Sequence, residues 1–225
     1  MGKKGKLIVI DGTDGSGKAT QTKILAEKLR KEGHSVEFID FPQYGQKSAA
    51  LVEEYLNGKF GSEKEVGPYR ASIFYACDRY AASFRISKWL SEGRIVIANR
   101  YTSSNMGHQA GKIKDANERD KFLSWLEDLE FNIFGIPWPD INILLYMPPE
   151  IGQRLVDKKG YREYVGGKKR DIHESDLNHL KNAAAAYKYC AKKYNWLVID
   201  CAPNGSLREI NDISNEVFEK VKCLL

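Results

Sequence analysis

Cysteines and long apolar runs are scarce in this sequence. The cysteines form no CxxC pair and have no histidines at metal-ligand spacing, which favours reduced, mostly buried thiols. No stretch approaches the ~18–20 apolar residues of a membrane span. The N-terminus passes from a few lysines into a short strand without a cleavable apolar region. These absences predict a soluble, cytoplasmic protein that does not bind membranes. The cysteines are Cys77, Cys190, Cys201 and Cys223.

A concentrated basic patch is also missing. The net charge of +5 arises from 35 basic and 30 acidic residues spread along the chain, and the densest basic run, residues 168–170, is three residues long. Nucleic-acid-binding proteins more often cluster basic and aromatic residues. The sequence therefore disfavours a nucleic-acid partner, and phosphorylated small molecules are a sufficient explanation of the charge surplus.

Short apolar runs alternate with amphipathic segments along the 225 residues. This alternation predicts an α/β fold in a single domain over residues 1–225, with a five-stranded parallel sheet covered by helices on both faces. Pro68 and Pro149 suit first-turn positions of helices. The predicted strands are 6–11, 35–40, 94–99, 141–147 and 196–200. The predicted helices are about 18–32, 69–91, 116–130, 175–194 and 206–222.

Two segments interrupt this alternation. Residues 41–67 and the glycine-rich, charged residues 157–170 both have the composition of mobile surface segments. An ordinary solvated loop is an equally good interpretation of the second segment from its composition alone.

A glycine-rich loop follows the first strand. Residues 12–18 match the phosphate-binding pattern GxxxxGK, and they lie between a strand and a helix, the context that this pattern requires. The glycines let backbone N–H groups wrap around phosphate, and Lys18 would bridge the β- and γ-phosphates. A tight strand-to-helix turn is the simpler alternative. The residues assigned to the cradle are Gly12, Asp14, Gly15, Ser16, Gly17, Lys18, Ala19 and Thr20.

Three further sequence clusters narrow the class of protein that carries this phosphate-binding loop, or P-loop. They are FPQY at 41–44, FYACDRY at 74–80 and NRYTSSN at 99–105. In the order and spacing of these clusters, and nearly from end to end, the chain resembles the thymidylate kinase family. The resemblance implies a P-loop kinase fold with a mobile lid over 157–170. It also implies transfer of the γ-phosphoryl group of ATP to dTMP with Mg²⁺, and a homodimer.

The resemblance also implies how dTMP is bound. Arg100 would hold its phosphate, a role suited to a guanidinium, and Tyr44 would touch the same phosphate. Arg79 and Tyr75, four residues apart on one helix face, would donate to a thymine carbonyl and stack on the ring. Asp14 would accept a hydrogen bond from the 3′-hydroxyl. The residues assigned to the substrate are Asp14, Phe41, Tyr44, Tyr75, Arg79, Arg100, Ser104, Asn105 and His108.

Each of these roles has a plainer alternative. Arg100 could form a surface ion pair, Tyr75 could pack in the core, and Asp14 could stabilise the N-terminus of the following helix.

Phosphoryl transfer needs cations around the transferring group. Some thymidylate kinases carry an arginine in the P-loop where this chain has Gly15, so the resemblance implies the type that delivers an arginine from the lid. Arg162 and Arg170 are the candidates, and with Lys18 and Arg100 they form the predicted catalytic set.

Two more assignments depend on the region around the lid. Arg154 matches the position that stacks on adenine in the family. A DIHE motif follows the lid, and its Asp171 could position a metal-bound water, although a helix N-cap is an equally good account.

The surroundings of the metal depart from the family pattern. The position after the P-loop lysine usually carries a hydroxyl ligand for Mg²⁺ and here is Ala19, which leaves Thr20 as a hydroxyl that would act through water. Asn99 and Tyr146 replace aspartates that are common in relatives. These changes keep a second interpretation open, in which the chain is a nucleotide-binding regulator with weakened catalysis. A kinase of another nucleotide or of a deoxynucleoside is a separate alternative. A nucleic-acid-dependent motor is disfavoured by the short chain and dispersed charge.

Overall fold

The computed structural model describes residues 4–157 and 177–225. Adjacent strands of its single described sheet all pair in parallel, in the order β2-β3-β1-β4-β5. This confirms the predicted five-stranded parallel sheet, with strand limits within one or two residues of those predicted. The strands are β1 (Lys6–Gly12), β2 (Val36–Asp40), β3 (Ile95–Asn99), β4 (Ile141–Tyr146) and β5 (Leu197–Asp200).

Helices connect the strands, and each predicted helical region contains one, although the last begins at Ile210 rather than at 206 and the predicted 116–130 continues past Glu127 as a π-helical turn. Within the described ranges, no helix combines the length and apolar character needed to cross a membrane. The helices are α1 (Lys18–Lys31), α2 (Ala50–Leu56), α3 (Glu63–Ser91), α4 (Thr102–His108), α5 (Ala116–Glu127), α6 (Pro149–Asp157), α7 (Leu177–Lys193) and α8 (Ile210–Lys222).

The central strand β1 contributes to a core on each face of the sheet. Leu7 and Val9 belong to a buried cluster with Ile86 of α3, whereas Ile8 belongs to a second cluster with Leu29 of α1. Successive residues of a strand point to opposite faces, so a continuous apolar run fits a strand that is covered on both sides. The helices therefore cover both faces, as the sequence predicts.

Residues 41–67 correct one prediction from the sequence. They contain α2, in which Val52 and Tyr55 are fully buried and form a cluster with Ala71 of α3. Apolar side chains three and four residues apart make one helix face, and this face packs on α3. The segment therefore contains a helix packed on α3 and is not a mobile surface segment throughout.

The start of α3 explains the position of Pro68. Ser62 and Glu65 form a capping box, and Gly67 then breaks the helical backbone with a φ of 74°. Pro68 lies immediately after this break, in the first turn of the long helical stretch, as predicted. Pro149 is the first residue of α6.

We expect Leu29→Ala to lower the free energy of unfolding by about 2–5 kcal/mol, because Leu29 is fully buried against the sheet. Urea denaturation measures the change. Leu51→Ala is the control, since 44% of Leu51 is exposed and its truncation should change stability by no more than about 0.5 kcal/mol. Equal effects of the two substitutions would contradict this assignment of the core.

Candidate active site

The glycine-rich loop between β1 and α1 has a backbone that requires glycine. Gly15 and Gly17 have φ values of 78° and 82°, in the left-handed region that other residues adopt at a cost. A Cβ on Gly15 would also lie 2.3 Å from the carbonyl oxygen of Gly152 in α6. The loop is thus shaped both by its own dihedral angles and by the close approach of α6.

Lys18 is held at the mouth of this loop. Its Nζ donates to the carbonyl oxygens of Gly12 and Thr13, both at 2.9 Å, and lies 3.7 Å from a carboxylate oxygen of Asp14. The hydroxyl of Thr13 donates in turn to the carbonyl oxygen of Met147, which ties the loop to the end of β4. The loop therefore carries a buried ammonium group beside its backbone N–H groups, the arrangement that binds phosphate.

Arg100 faces this loop from the end of β3. Its backbone has a φ of 68°, and its N–H donates to the carbonyl oxygen of Ile10 in β1 at 3.0 Å. Its guanidinium donates to Asp14 at 2.8 Å. A left-handed backbone at a non-glycine residue costs about 1–3 kcal/mol and is often found at functional sites. This turn places Arg100 next to the phosphate loop.

Asp14 lies between two cations. Burial alone would raise the pKa of its carboxyl group, but the charges of Arg100 and Lys18 outweigh burial and hold that pKa well below its ordinary value. Asp14 is therefore ionised at neutral pH, and it offsets the repulsion between the two positive side chains. It is not a simple helix-capping residue, because its contacts are made to the groups that face the cavity.

A buried carboxylate that the sequence analysis missed supports this end of the site. Asp11, at the end of β1, accepts hydrogen bonds from the Gly12 N–H, from the hydroxyls of Ser103 and Ser104, and from the Tyr187 hydroxyl. It therefore joins β1, α4 and α7. Only its place beside the glycine loop could have singled it out, since its partners are distant in sequence.

All nine residues assigned to the substrate line one cavity beside the loop. The empty space inside this lining is about 540 Å³, counting its open mouth. Pro42, Leu56 and Gln109 complete the lining and were not predicted. The predicted residues in this lining are Asp14, Phe41, Tyr44, Tyr75, Arg79, Arg100, Ser104, Asn105 and His108.

Aromatic side chains form one wall of the cavity. Phe41 is buried and packs against Tyr101, with ring centroids 5.8 Å apart, and Tyr75 meets Tyr55 edge-on at 6.4 Å. Phe74, one residue before Tyr75, is absent from the lining and packs against Phe60 at 5.3 Å. Tyr75 therefore lines the cavity, whereas its neighbour Phe74 packs elsewhere.

Asn105 and His108 of α4 also reach the cavity. The amide of Asn105 donates to the carbonyl oxygen of Ser72 in α3 at 3.2 Å. The His108 ring lies 3.3 Å from the Arg100 guanidinium and 3.4 Å from the ring of His179 in α7. Both side chains are held by neighbouring helices, so their positions are fixed by the fold.

Arg79 enters the cavity wall from α3 as half of a buried ion pair. Its Nε and one terminal nitrogen donate to the two carboxylate oxygens of Glu130, at 2.5 and 2.6 Å. Arg79 is predictable from the sequence and Glu130 is not, because nothing in the sequence marks a partner 51 positions away. Arg79 is therefore anchored on one edge by protein and not only by a ligand.

The loop that carries Tyr44 is held by Asp78, another residue that the sequence analysis missed. Asp78 accepts from the Gln43 backbone N–H at 2.8 Å, from the Gln43 amide at 3.0 Å and from the Ser48 hydroxyl at 2.6 Å. Since Asp78 precedes Arg79 on α3, one helix positions two different walls of the cavity.

The residues that depart from the family pattern around the predicted metal site can be located in the structure. Asn99 donates to the Asp40 carboxylate at 2.7 Å, so the end of β2 supplies an acidic group beside the position where relatives carry one. Burial raises the pKa of Asp40. Ala19 and Thr20 are exposed in the first turn of α1. Within the described part of the chain, no group of three or more histidine, cysteine, aspartate or glutamate residues could hold a metal ion.

Several assigned residues lie away from the cavity or outside the described ranges. Arg154 is exposed on α6, where its Nε donates to the Glu150 carbonyl oxygen at 3.3 Å. Arg162, Arg170 and Asp171 lie outside the described residues, so their predicted roles stay predictions.

The phosphate loop and the arginine-containing cavity beside it define a P-loop kinase of small phosphorylated substrates. The family model described as thymidylate kinase matches residues 10–212 of this chain. The chain therefore belongs to the thymidylate kinase family.

Individual relatives support the same conclusion. The thymidylate kinase of Mycobacterium tuberculosis (strain H37Rv) is 32% identical over 198 residues, which cover 86% of this chain and 90% of that protein. The thymidylate kinase of Plasmodium falciparum is 27% identical over 219 residues, covering 97% and 90%. The fold is similar to that of thymidylate kinase from Candida albicans, with a TM-score of 0.73, 22% identity, and 98% and 92% of the two chains covered.

We expect Gly15→Ala to weaken the binding of a non-hydrolysable ATP analogue by roughly tenfold or more, since the new Cβ would displace the loop from α6. Isothermal titration calorimetry measures the affinity. Gly58→Ala is the matched control, because Gly58 has the same φ of 78° with no heavy atom within 4 Å of the added Cβ. It should cost stability alone, about 1–2 kcal/mol. Unchanged affinity in Gly15→Ala would contradict the assignment of the loop.

Proposed function

We propose that the residues of this cavity bind dTMP, and that the glycine-rich loop holds the ATP phosphates opposite it. Its membership of the thymidylate kinase family supports an ATP-dependent kinase that phosphorylates dTMP to dTDP. The observation that carries the assignment of the site is that all nine residues proposed for dTMP line one cavity, in which Asp14 contacts both Arg100 and, in the phosphate loop, Lys18.

The charges of the site suit an acceptor that carries its own phosphate. Arg100 and Lys18 share the single negative charge of Asp14, at 2.8 and 3.7 Å, and Arg100 also lies 3.9 Å from the Asp11 carboxylate. A substrate phosphate would replace Asp14 as the anionic partner of Arg100, and an ATP phosphate would replace it as the partner of Lys18. Asp14 would then be left to accept a hydrogen bond from the sugar hydroxyl. The attacking atom is a phosphate oxygen of dTMP, so the reaction needs cations and no protein base.

The base would occupy the aromatic end of the cavity. Tyr75 would stack on the thymine ring, Arg79 would donate to a ring carbonyl, and Asn105 would pair with the base edge. Phe41 closes the same wall. Tyr44, which is 38% exposed and lines the same cavity, would contact the dTMP phosphate. Ser104 and His108, which contact Arg100 at 3.3 Å each, would hold its guanidinium in place.

Mg²⁺ fits the oxygen donors at the ends of β2 and β3. Asp40 supplies a carboxylate, and the Asn99 amide oxygen is buried without a hydrogen-bond partner among the described residues. Bound with the nucleotide, Mg²⁺ would neutralise charge that develops on the transferring phosphoryl group. Asp40 and Asn99 would contact its water ligands, with Thr20 and Asp171 as further candidates, and the phosphates would supply most of the binding.

The remaining positive charge would come from the lid, residues 157–170, by Arg162 or Arg170. The P-loop has Gly15 in place of an arginine, and the described cavity wall holds two arginines, Arg79 and Arg100. The adenine would lie against α6, near Arg154. We place these groups in a single domain over residues 1–225, working in the cytoplasm.

The experiment that tests the substrate assignment is a coupled assay of ADP production with ATP and Mg²⁺. It compares dTMP with dUMP, dCMP, dGMP, AMP and thymidine as acceptors. We expect dTMP to have the highest kcat/KM, and thymidine to be inactive because Arg100 would find no phosphate. ATP binding without turnover of any acceptor would contradict the enzyme assignment, and a preference for another acceptor would contradict the thymine pocket.

We also propose a homodimer through the exposed apolar face of α3. Ile73, Tyr80 and Phe84 share one side of the helix and are 39%, 42% and 66% exposed. Tyr80 extends this surface by packing against Phe134, with ring centroids 5.0 Å apart. Large contiguous apolar surfaces are typical of protein–protein contacts. A second copy of the chain, related by two-fold symmetry, would cover the same residues on both partners.

We expect Phe84→Glu to convert the dimer to a monomer, because it would place a charge at the centre of the contact. Sedimentation velocity over a range of protein concentrations measures the change. Leu51→Glu is the control, since Leu51 is 44% exposed on α2, away from this face. A wild-type chain that is monomeric at all concentrations, or a Phe84→Glu variant that remains dimeric, would contradict the proposal.

A further inference from the structure

We propose that Glu130 is a positioning residue for substrate selection, which orients Arg79 toward the base. The inference rests on the proposed role of Arg79 in binding thymine. Glu130 lies on the π-helical turn Asp128–Ile133 that continues α5, and it lines no part of the cavity itself. Its effect on the substrate would therefore pass through Arg79.

The geometry of the pair leaves one edge of Arg79 for a ligand. Glu130 occupies Nε and one terminal nitrogen, at 2.5 and 2.6 Å, so the guanidinium plane is fixed by two parallel hydrogen bonds. Among the described residues, the other terminal nitrogen has one long contact, 3.4 Å, to the Tyr101 carbonyl oxygen. Since Arg79 lines the cavity, this nitrogen is the donor that a base carbonyl would meet.

Glu130 is itself held firmly. Its carboxylate accepts a third hydrogen bond, from the Thr102 hydroxyl at 3.0 Å, and its backbone carbonyl accepts from the Ile136 N–H at 3.1 Å. Thr102 is the first residue of α4, the helix that also carries Asn105. One carboxylate therefore links α3, α4 and the end of α5 behind the base-binding end of the cavity.

Stability alone does not account for this pair. Glu130 is completely buried and Arg79 is 2% exposed, and an apolar pair of similar volume is often as stable as a buried ion pair or more so. Two charges kept out of water need another reason. The neighbouring cavity explains why an ion pair is buried here, because the Glu130 carboxylate fixes Arg79 as a hydrogen-bond donor that faces the cavity.

The pair also separates the two ends of the cavity by charge. An unpaired Arg79 would attract the substrate phosphate in competition with Arg100. The Arg79–Glu130 pair as a whole carries no net charge, but Arg79 still offers N–H groups to the ligand. Arginine has donors only, so it favours a carbonyl oxygen and disfavours an amino group at the same position. Glu130 would thus contribute to the preference for dTMP over dCMP.

The test compares Glu130→Gln with Ile136→Ala. Glutamine keeps the volume but removes the charge and turns a donor toward Arg79, while Ile136→Ala creates a cavity in the buried cluster that contains Phe131. We expect Glu130→Gln to raise KM for dTMP about 10- to 100-fold, the range for losing a hydrogen bond to a charged group. The preference for dTMP over dCMP should fall, and KM for ATP should stay within about twofold. Ile136→Ala should lower Tm without changing base preference.

Two variants of Arg79 keep the outcome decisive. Arg79→Met tests the role of the arginine, and the double variant Arg79→Met/Glu130→Met replaces the ion pair by an apolar pair that can fold even where Glu130→Gln does not. The double variant should show the same KM for dTMP as Arg79→Met, since Glu130 would have nothing left to orient.

The possible failures are distinct. If Arg79→Met leaves KM for dTMP and the base preference unchanged, the proposed role of Arg79 is wrong, and the role of Glu130 with it. If Arg79→Met has its effect but Glu130→Gln does not, or raises KM for ATP as much as KM for dTMP, only the positioning role is overturned. A further loss in the double variant beyond Arg79→Met would also overturn it.

Discussion

The Asp11 carboxylate is the contact on which the site depends most. It is buried at the end of β1 and accepts hydrogen bonds from α4, from α7 and from the first N–H of the phosphate loop. A buried carboxylate that lost these donors would be strongly unfavourable, so each of the three elements is held in place by the same charge. The helix that carries Asn105 and His108 and the loop that carries Lys18 are thereby fixed relative to each other.

Near Asp11, the acidic and basic side chains of the site are paired with one another within the protein. Asp14 pairs with Arg100 and Lys18, and Glu130 pairs with Arg79. The two carboxylates differ in what they leave available. Asp14 lines the cavity together with Arg100, whereas Glu130 lies outside this lining and pairs with Arg79 from behind. A ligand with an anionic end and a neutral polar end matches this division.

The sheet and most of its helices could be predicted from apolar runs, which are local signals, and the nine cavity residues could be predicted from the resemblance to the thymidylate kinase family that the GTDGSGK loop and three motif clusters carry. Prediction from the sequence failed where partners are distant. Asp11 gave no sign of meeting Tyr187, nor Arg79 of meeting Glu130, since an ion pair between remote positions leaves no periodic pattern. Residues 41–67 were misjudged because polar residues around α2 obscured a short apolar face that only packing on α3 makes evident.

The approach of Gly15 to Gly152 has a mechanical consequence. A Cβ on Gly15 would lie 2.3 Å from the carbonyl oxygen of Gly152, and one on Gly152 would lie 2.1 Å from that of Asp14. Backbone therefore meets backbone, with no side chain between them to yield. A push of α6 toward the sheet would be transmitted to the phosphate loop without being absorbed. The two segments are therefore mechanically coupled, and a movement that began in α6 would reach the glycine-rich loop.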